Sequence, residues 1–371
     1  MKQTPLHDYH AKHGKLAEFA GYEMPLWYTS TVEEHLAVRN KAGIFDVSHM
    51  GRVTLDGPDA TKLVELLIPT SASSQAPGKS FYTLLLNQKG GIIDDLIVMR
   101  TEEGYVLVIN AANKTKDLSH IQTNSEGYDV NIHDITDSTT MIAVQGPEAT
   151  QALQPLTSIE LSQIKRYTHV SAMVGASRAT ITRTGYTGED GFEIILLDTG
   201  LQDVSVAMAV WTDLSTRARP SGLGARDSLR VEAGLPLYGS DIDDATNPFE
   251  AELSWVVTKG KTGYIGSDSL ASFSSTPLSR ARRGIVLEDK IPRHGFNVTG
   301  DRNEVIGTVT SGSFSPILKK GIALAYVEPA HAKIGQLVDV MVRDSAARGA
   351  ITKPPFYDEK LFGWKRLKQQ K

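Results

Sequence analysis

The spacing of apolar and polar positions divides the chain into short helices and strands. Apolar residues three and four apart over 60–67, and again over 201–211, predict two helices with one apolar stripe each. A capping box, with Thr31 as the cap and Glu34 reaching back, predicts a further helix that stops near Gly43. Apolar and β-branched runs bounded by turn residues predict strands over 82–86, 92–98, 105–109, 284–287, 305–310, 322–327 and 337–342. The last four strands, joined by regular turns, predict a small antiparallel barrel or sandwich.

A strand–turn–helix pattern with a Gly-Pro turn occurs twice. Residues 53–61 (VTLDGPDAT) resemble residues 142–150 (IAVQGPEAT), and each proline falls in the first turn of a predicted helix. Two interpretations stay open: the two units share only their turn chemistry, or the first half of the chain contains a duplicated α+β module.

Composition excludes several classes of protein. A chain of 371 residues predicts two or three domains. Because it has no cysteine, disulfides, thiolate metal sites and cysteine nucleophiles are ruled out. With 39 basic and 43 acidic residues, the net charge of −4 indicates neither a nucleic-acid nor a membrane partner. The chain shows no apolar run long enough to span a bilayer and no secretory signal, so a cytoplasmic protein is predicted.

Two adjacent carboxylates, Asp94 and Asp95, interrupt an apolar predicted strand. Side chains alternate along a strand, so the two are expected on opposite faces of the sheet and not as a pair of metal ligands. One of them either faces a cleft, where an unpaired carboxylate is costly, or caps nearby backbone N–H groups.

A glycine-rich segment, residues 183–193 (RTGYTGEDGFE), is the second candidate. Its glycines recur every three residues, which fits neither a dinucleotide-binding fingerprint nor a phosphate loop. The segment carries Tyr186 and Glu189 on a flexible backbone, and a carboxylate there can accept two hydrogen bonds from an amidine-like ligand edge. The alternative is a plain connection between strands.

Two further candidates have a structural alternative. Arg226, Asp227 and Arg230 near a predicted helix start fit either an anion or carbonyl site or a structural ion network. A single histidine such as His49 is more often structural than catalytic. The sequence contains no HExxH or other metal-ligand spacing and no GxSxG elbow, so no metal site is predicted.

Taken together and in this order, the motifs resemble the glycine cleavage system T-protein, or aminomethyltransferase, family. The resemblance covers almost the whole chain and rests on residues 4–6, 19–25, 43–50, 90–96, 110–113, 184–191, 224–227, 237–239, 307–312 and 355–356. The sequence departs from the family at Tyr22, where tryptophan is more usual, and over 353–356; the tail beyond Phe356 does not align.

The resemblance implies a fold and a reaction. The fold would be of the α+β class, a clover-like ring of two α+β units and a C-terminal antiparallel β barrel, with folate in the central channel. Residues 1–276 would form the folate-binding catalytic region and residues 277–371 the barrel. The enzyme would take an aminomethyl group from the lipoyl arm of H-protein, release ammonia and form 5,10-methylenetetrahydrofolate from tetrahydrofolate.

The resemblance also implies roles for individual residues. Asp94, as the first of the aspartate pair, would be the catalytic residue near the reacting pterin nitrogens, and Glu189 would accept hydrogen bonds from the pterin 2-amino group and N3–H. The other residues that would line the folate site are Arg226, Asn110, Tyr82, Met50 and Tyr186.

Two related functions remain as alternatives. One is a folate-dependent demethylase of a small methylated amine or sulfur compound, although such folds are often fused to a flavin oxidase domain and this chain has no room for one. The other is a non-catalytic folate-binding factor. The iron–sulfur assembly paralogue carries a cysteine motif, whereas the corresponding segment here, residues 261–267, has no cysteine. The tail from Lys353, with six basic and two acidic residues, is either a solvated end or a docking candidate for an acidic H-protein.

Overall fold

The computed structural model describes residues 1–343 and 345–366. The chain forms two compact units. The first comprises Met1–Leu85 and Asp94–Arg226, and the second comprises Leu86–Ile93 and Asp227–Lys371. The domain boundary predicted between residues 276 and 277 stays a prediction. The basic residues Lys368 and Lys371 of the predicted docking tail lie outside the described residues.

The described chain contains eight α-helices and nineteen strands. The helices are α1 (His7–His13), α2 (Thr31–Asn40), α3 (Ala60–Leu67), α4 (Lys114–Asn124), α5 (Ala149–Leu153), α6 (Ser205–Ser215), α7 (Leu223–Ala233) and α8 (Ser267–Phe273). The strands are β1 (Lys15–Phe19), β2 (Tyr22–Trp27), β3 (Gly43–Asp46), β4 (Gly51–Asp56), β5 (Ser80–Leu86), β6 (Ile92–Arg100), β7 (Gly104–Ile109), β8 (Asn131–Asp134), β9 (Thr139–Gln145), β10 (His169–Val174), β11 (Ser177–Thr182), β12 (Gly191–Leu197), β13 (Arg219–Pro220), β14 (Ala281–Leu287), β15 (Asn297–Thr299), β16 (Val305–Ser315), β17 (Lys320–Val327), β18 (Leu337–Val342) and β19 (Ser345–Thr352). None of the described helices has both the length and the apolar character that a membrane span requires.

Helix α2 begins one residue away from the predicted cap. Ser30, not Thr31, is the N-cap, and its side chain accepts a hydrogen bond from the N–H of Glu33 at 3.2 Å. Glu34 does not close a capping box, because its Oε1 accepts from the N–H groups of Tyr28 and Thr29 at 2.6 and 2.8 Å. The buried Glu34 carboxylate therefore fixes the chain that leads into the helix.

The two larger sheets of the first unit share one strand order over four of their strands. One has the order β5-β6-β7-β4-β8 and the other β10-β11-β12-β9-β3-β13. In each, the strand before the Gly-Pro turn pairs antiparallel with the last of three later consecutive strands. The turn glycines Gly57 and Gly146 have φ of +118° and +126°, a conformation that glycine adopts without strain. The shared order favours the duplicated module over two unrelated units with the same turn.

A six-stranded closed barrel lies in the second unit, with the order β14-β17-β16-β15-β18-β19. Its interior is filled by alternate side chains of the strands, among them Ile285, Val309 and Val340, all fully buried. Closure removes exposed strand edges and so decides between the barrel and the sandwich that the strand pattern left open. The predicted α+β class with a C-terminal antiparallel barrel is confirmed.

A buried ion cluster in the second unit is centred on Arg230. Its guanidinium donates to Asp241 at 2.6 Å and to the Ser311 hydroxyl at 2.9 Å, and it pairs with Asp227 at 2.7 Å. The side chains of Arg230 and Asp241 are 4% and 0% exposed. Of the two alternatives weighed from the sequence, the structural ion network is therefore the one that holds for Arg230.

Candidate functional site

Three of the predicted folate-site residues, Tyr82, Asn110 and Met50, meet Asp95 at one end of the five-stranded sheet. Tyr82 on β5 donates a hydrogen bond from its hydroxyl to Oδ2 of Asp95 on β6 at 3.0 Å. Asn110, which follows β7, donates from its amide to Oδ1 of Asp95 at 2.9 Å. Since Gly51 pairs with Ile109 between β4 and β7, Met50 and Asn110 leave the sheet at the same end. Tyr82, Asp95, Asn110 and Met50 are all half-buried, so this sheet end presents polar groups that a ligand can reach.

Asp94 lies beneath this surface and is fully buried. Its Oδ2 accepts from the backbone N–H of Asn110 at 3.0 Å, and its Oδ1 accepts from the side-chain amides of Asn110 and Asn113 at 2.9 and 2.5 Å. An ionised carboxylate accepts about four hydrogen bonds, so the three N–H donors occupy most of its capacity. Asp94 thus anchors the turn after β7, and its predicted catalytic role stays a prediction.

One side chain bridges the two aspartates, although strand alternation predicts that they lie on opposite faces of the sheet. The side-chain amide of Asn110 lies 2.9 Å from Oδ1 of Asp94 and 2.9 Å from Oδ1 of Asp95. The pairing of β6 with β7 begins at Ile97 and Val108, so the aspartates lie where β7 has ended and the chain turns. Asn110 can therefore bridge both carboxylates. No group of three or more metal-binding side chains forms a candidate metal site within the described residues.

Asp95 is a carboxyl that titrates near neutrality. Burial, together with the negative charge of Asp94, raises the pKa of Asp95 to about 7, against the opposing effect of hydrogen bonds from Tyr82 and Asn110. A carboxyl that is half-buried, partnered by a phenol and poised near physiological pH is suited to acid–base work. Asp95 has no predicted role from the sequence, although its place in an adjacent aspartate pair inside an apolar strand marks it.

A second cluster joins Arg226, Tyr186 and His49. The guanidinium carbon of Arg226 lies 4.7 Å from the centre of the Tyr186 ring, a cation–π contact between two half-buried side chains. Burial first, and then the nearby charge of Arg226, lowers the pKa of His49 to about 3. His49 is accordingly a neutral ring at physiological pH, packed edge-on against Phe19 with 5.5 Å between ring centres. It has the features of a structural residue.

The glycine-rich segment is a tightly held loop between β11 and β12. A Cβ on Gly185 would lie 1.8 Å from Oε1 of Gln145, so any larger residue there would displace the buried Gln145 side chain. Gly188 has a φ of +78°, and the Thr187 hydroxyl donates to Gln145 at 2.9 Å. These constraints fix the direction of the loop and with it the positions of Tyr186 and Glu189.

Glu189 lies inside the protein and forms an ion pair with Arg39 of α2. One guanidinium nitrogen of Arg39 donates to Oε1 of Glu189 at 3.1 Å and to the carbonyl of Thr187 at 2.8 Å. Both charged side chains are 0% exposed. Arg39 is not predicted from the sequence, because its partner is 150 residues away in the chain and no local pattern marks it.

Known proteins are similar to this chain over nearly its whole length. Residues 6–261 match the GCVT N-terminal domain and residues 280–358 match the glycine cleavage T-protein C-terminal barrel domain. Aminomethyltransferases from Thermosipho melanesiensis and Thermus thermophilus are 43% and 42% identical, covering 96% of this chain and 97% and 99% of theirs. The crystal structure of glycine cleavage system aminomethyltransferase T from Bartonella henselae superposes with a TM-score of 0.89 at 34% identity, over 98% of this chain and 99% of that one. The chain belongs to the glycine cleavage system T-protein, or aminomethyltransferase, family.

Proposed function

We propose that this protein is the tetrahydrofolate-dependent aminomethyltransferase of a glycine cleavage system. It takes the aminomethyl group from the lipoyl sulfur of H-protein, breaks the carbon–sulfur and carbon–nitrogen bonds, releases ammonia and joins the carbon to N5 and N10 of tetrahydrofolate. The observation that carries the proposal is the carboxylate pair, Asp94 and Asp95, set beside Tyr82 and Asn110 in a chain of this family. The proposed compartment is the cytoplasm, which cell fractionation tests.

The aspartate pair is proposed as one catalytic unit. The resemblance to the family assigned catalysis to Asp94, and the geometry divides the work between the two carboxylates. Asp94 supplies a fixed, buried negative charge, and Asp95 supplies the half-buried carboxyl whose pKa that charge raises. An ionised Asp95 can orient the attacking nitrogen, remove a proton from it or stabilise positive charge that develops on the transferred carbon.

Glu189 and Arg226 are proposed to bind the pterin of the folate. The 2-amino group and N3–H of a pterin are two adjacent donors, and a carboxylate held in place by Arg39 is a matching acceptor. Arg226, stacked on Tyr186, is a donor for the pterin carbonyl oxygen. Met50, Tyr82 and Asn110 would line the rest of the folate site, beside the reacting carbon. In this proposal, holding the aminomethyl group and the folate nitrogens in the reactive geometry contributes more to the rate than acid–base strength alone.

Glu189→Gln tests the pterin assignment. The change replaces one acceptor oxygen by a donor and removes the charge that is proposed to bind the pterin, so we expect the KM for tetrahydrofolate to rise by about 10–100-fold. Asp190→Asn is the matched control, because Asp190 belongs to the same loop but pairs with Arg183. The melting temperature of Asp190→Asn is the reference for damage to the loop. An unchanged KM in Glu189→Gln would show that Glu189 does not belong to the folate site.

The donor specificity tests the proposed reaction against the demethylase alternative. We expect rapid ammonia release from aminomethylated H-protein and no comparable turnover of sarcosine, dimethylglycine or a sulfonium compound. Methylenetetrahydrofolate is measured in the same samples. Efficient turnover of a small methylated donor without H-protein would replace the aminomethyltransferase with a demethylase. Tight folate binding without any transfer of the aminomethyl group would support the alternative of a non-catalytic folate-binding factor.

A further inference from the structure

A third carboxyl, Asp117 of helix α4, lies against the aspartate pair and has no role in the proposed reaction so far. Its side chain is 0% exposed. Neither of its oxygens accepts a hydrogen bond from any N–H or O–H donor in the described part of the chain. Buried oxygens of an ionised carboxylate are almost always paired, because an unpaired buried charge is very costly. The surroundings of Asp117 therefore fit a carboxylic acid better than a carboxylate.

Asp117 interacts with Asp94 through the charge of that carboxylate and through a hydrogen bond between the two side chains. Two ionised carboxylates offer only acceptors, so a hydrogen bond between them requires a proton on one. Asp94 already accepts three N–H donors from Asn110 and Asn113, the environment of the ionised form. The proton of the pair accordingly belongs to Asp117, whose O–H fills the remaining acceptor position of Asp94.

We infer that Asp117 is a positioning residue for the proposed reaction: it stays protonated and donates a hydrogen bond that fixes the Asp94 side chain beneath Asp95. The inference rests on the proposed function only for its effect on the rate. No proton leaves Asp117 during turnover, so the transfer chemistry is unchanged.

The electrostatics around Asp117 agree with this geometry. Burial first, and then the charge of Asp94 and the hydrogen bond to it, raises the pKa of Asp117 to about 10. The other charged groups that act on it are Asp95, which raises the pKa further, and Lys116 on its own helix, which lowers it. Asp95 titrates at about 7. Between these two values Asp95 is ionised while Asp117 keeps its proton.

Infrared spectroscopy of the full-length protein tests the protonation state without any substrate. At a pH midway between about 7 and about 10, we expect the wild type to show the C=O stretching band of a protonated carboxylic acid. Asp117→Asn should lack that band. If the wild-type and Asp117→Asn spectra are the same in this region, Asp117 is ionised and the inference is wrong, whatever reaction the protein catalyses.

Kinetics test whether the proton matters for turnover. Asp117→Asn keeps a donor toward Asp94 and is expected to have a kcat close to wild type. Asp117→Ala removes the donor and is expected to lower kcat by about 10–100-fold, with an unchanged KM for tetrahydrofolate. Ile121→Ala, a fully buried position one turn along α4, is the packing control and should lower the melting temperature but not kcat. Equal loss of kcat in Asp117→Asn and Asp117→Ala would overturn the positioning role. An inactive wild type with the infrared band present would overturn the proposed function alone.

Discussion

Asp95→Asn and Asp94→Asn are each expected to lower the rate of tetrahydrofolate-dependent ammonia release by about 10²–10⁴-fold, the usual range for a positioned acid–base group. In Asp95→Asn the half-buried group that is proposed to act on the ligand can no longer ionise. In Asp94→Asn the fixed charge beneath it is lost, although the amide can still occupy the same space. The measurement is single-turnover ammonia release from aminomethylated H-protein with saturating tetrahydrofolate.

The pH dependence separates the roles of the two aspartates. Because the pKa of Asp95 is raised to about 7, activity that needs its ionised form is present above that pH and falls as the pH drops through it. Asp95→Asn should abolish this acidic limb of the rate profile. Asp94→Asn should move the limb to lower pH, because the charge that raises the pKa of Asp95 is gone. A wild-type rate in both variants would show that the pair has no part in the mechanism. An acidic limb that does not move in Asp94→Asn would show that the charge of Asp94 does not raise the pKa of Asp95.

Arg230→Met is expected to lower the free energy of unfolding by about 3–5 kcal/mol, the usual cost of removing one partner of a buried ion pair. The change leaves the fully buried Asp241 carboxylate with the Thr310 and Ser311 hydroxyls and the N–H of Leu237, but without its cation. Urea unfolding, followed by tryptophan fluorescence, measures the loss.

Arg348→Met is the matched control for this prediction. It breaks a pair with Asp339 in the barrel, in which the arginine side chain is 44% exposed. Exposed pairs contribute about 0–1 kcal/mol, so the control should unfold almost as the wild type does. Equal destabilisation in the two variants would show that the Arg230 cluster is not the structural centre proposed for it.

The local parts of the fold follow from the sequence. Alternation and turn residues located β6 and β7 within two residues. The repeated Gly-Pro segments raised a duplicated α+β module as one of two interpretations, and the shared strand order of two sheets favours it. Helix α2 was displaced at its cap by one residue, because Ser30 and Thr31 have the same capping chemistry and Glu34 is used by the preceding chain instead. Neighbouring residues determine such features, so a local pattern can reveal them.

The candidate site is harder to predict from the sequence, because the residues that interact there are distant from one another in the chain. The aspartate pair, the glycine-rich loop and Arg226 stood out by motif, and the resemblance to the family supplied their proposed roles. Arg39 and Asp117 did not stand out, since nothing near either residue reveals that it meets Glu189 or Asp94. Which of two adjacent carboxylates is enclosed and which is half-exposed likewise depends on where β7 ends and Asn110 turns toward both.

Ammonia release from aminomethylated H-protein, measured with and without tetrahydrofolate, tests the proposed function most directly. The account predicts a large acceleration by tetrahydrofolate, with one methylenetetrahydrofolate formed for each ammonia released. Asp95→Asn protein serves as the matched control in the same assay and should show little of this acceleration. Ammonia release at the same rate with and without tetrahydrofolate would contradict the account.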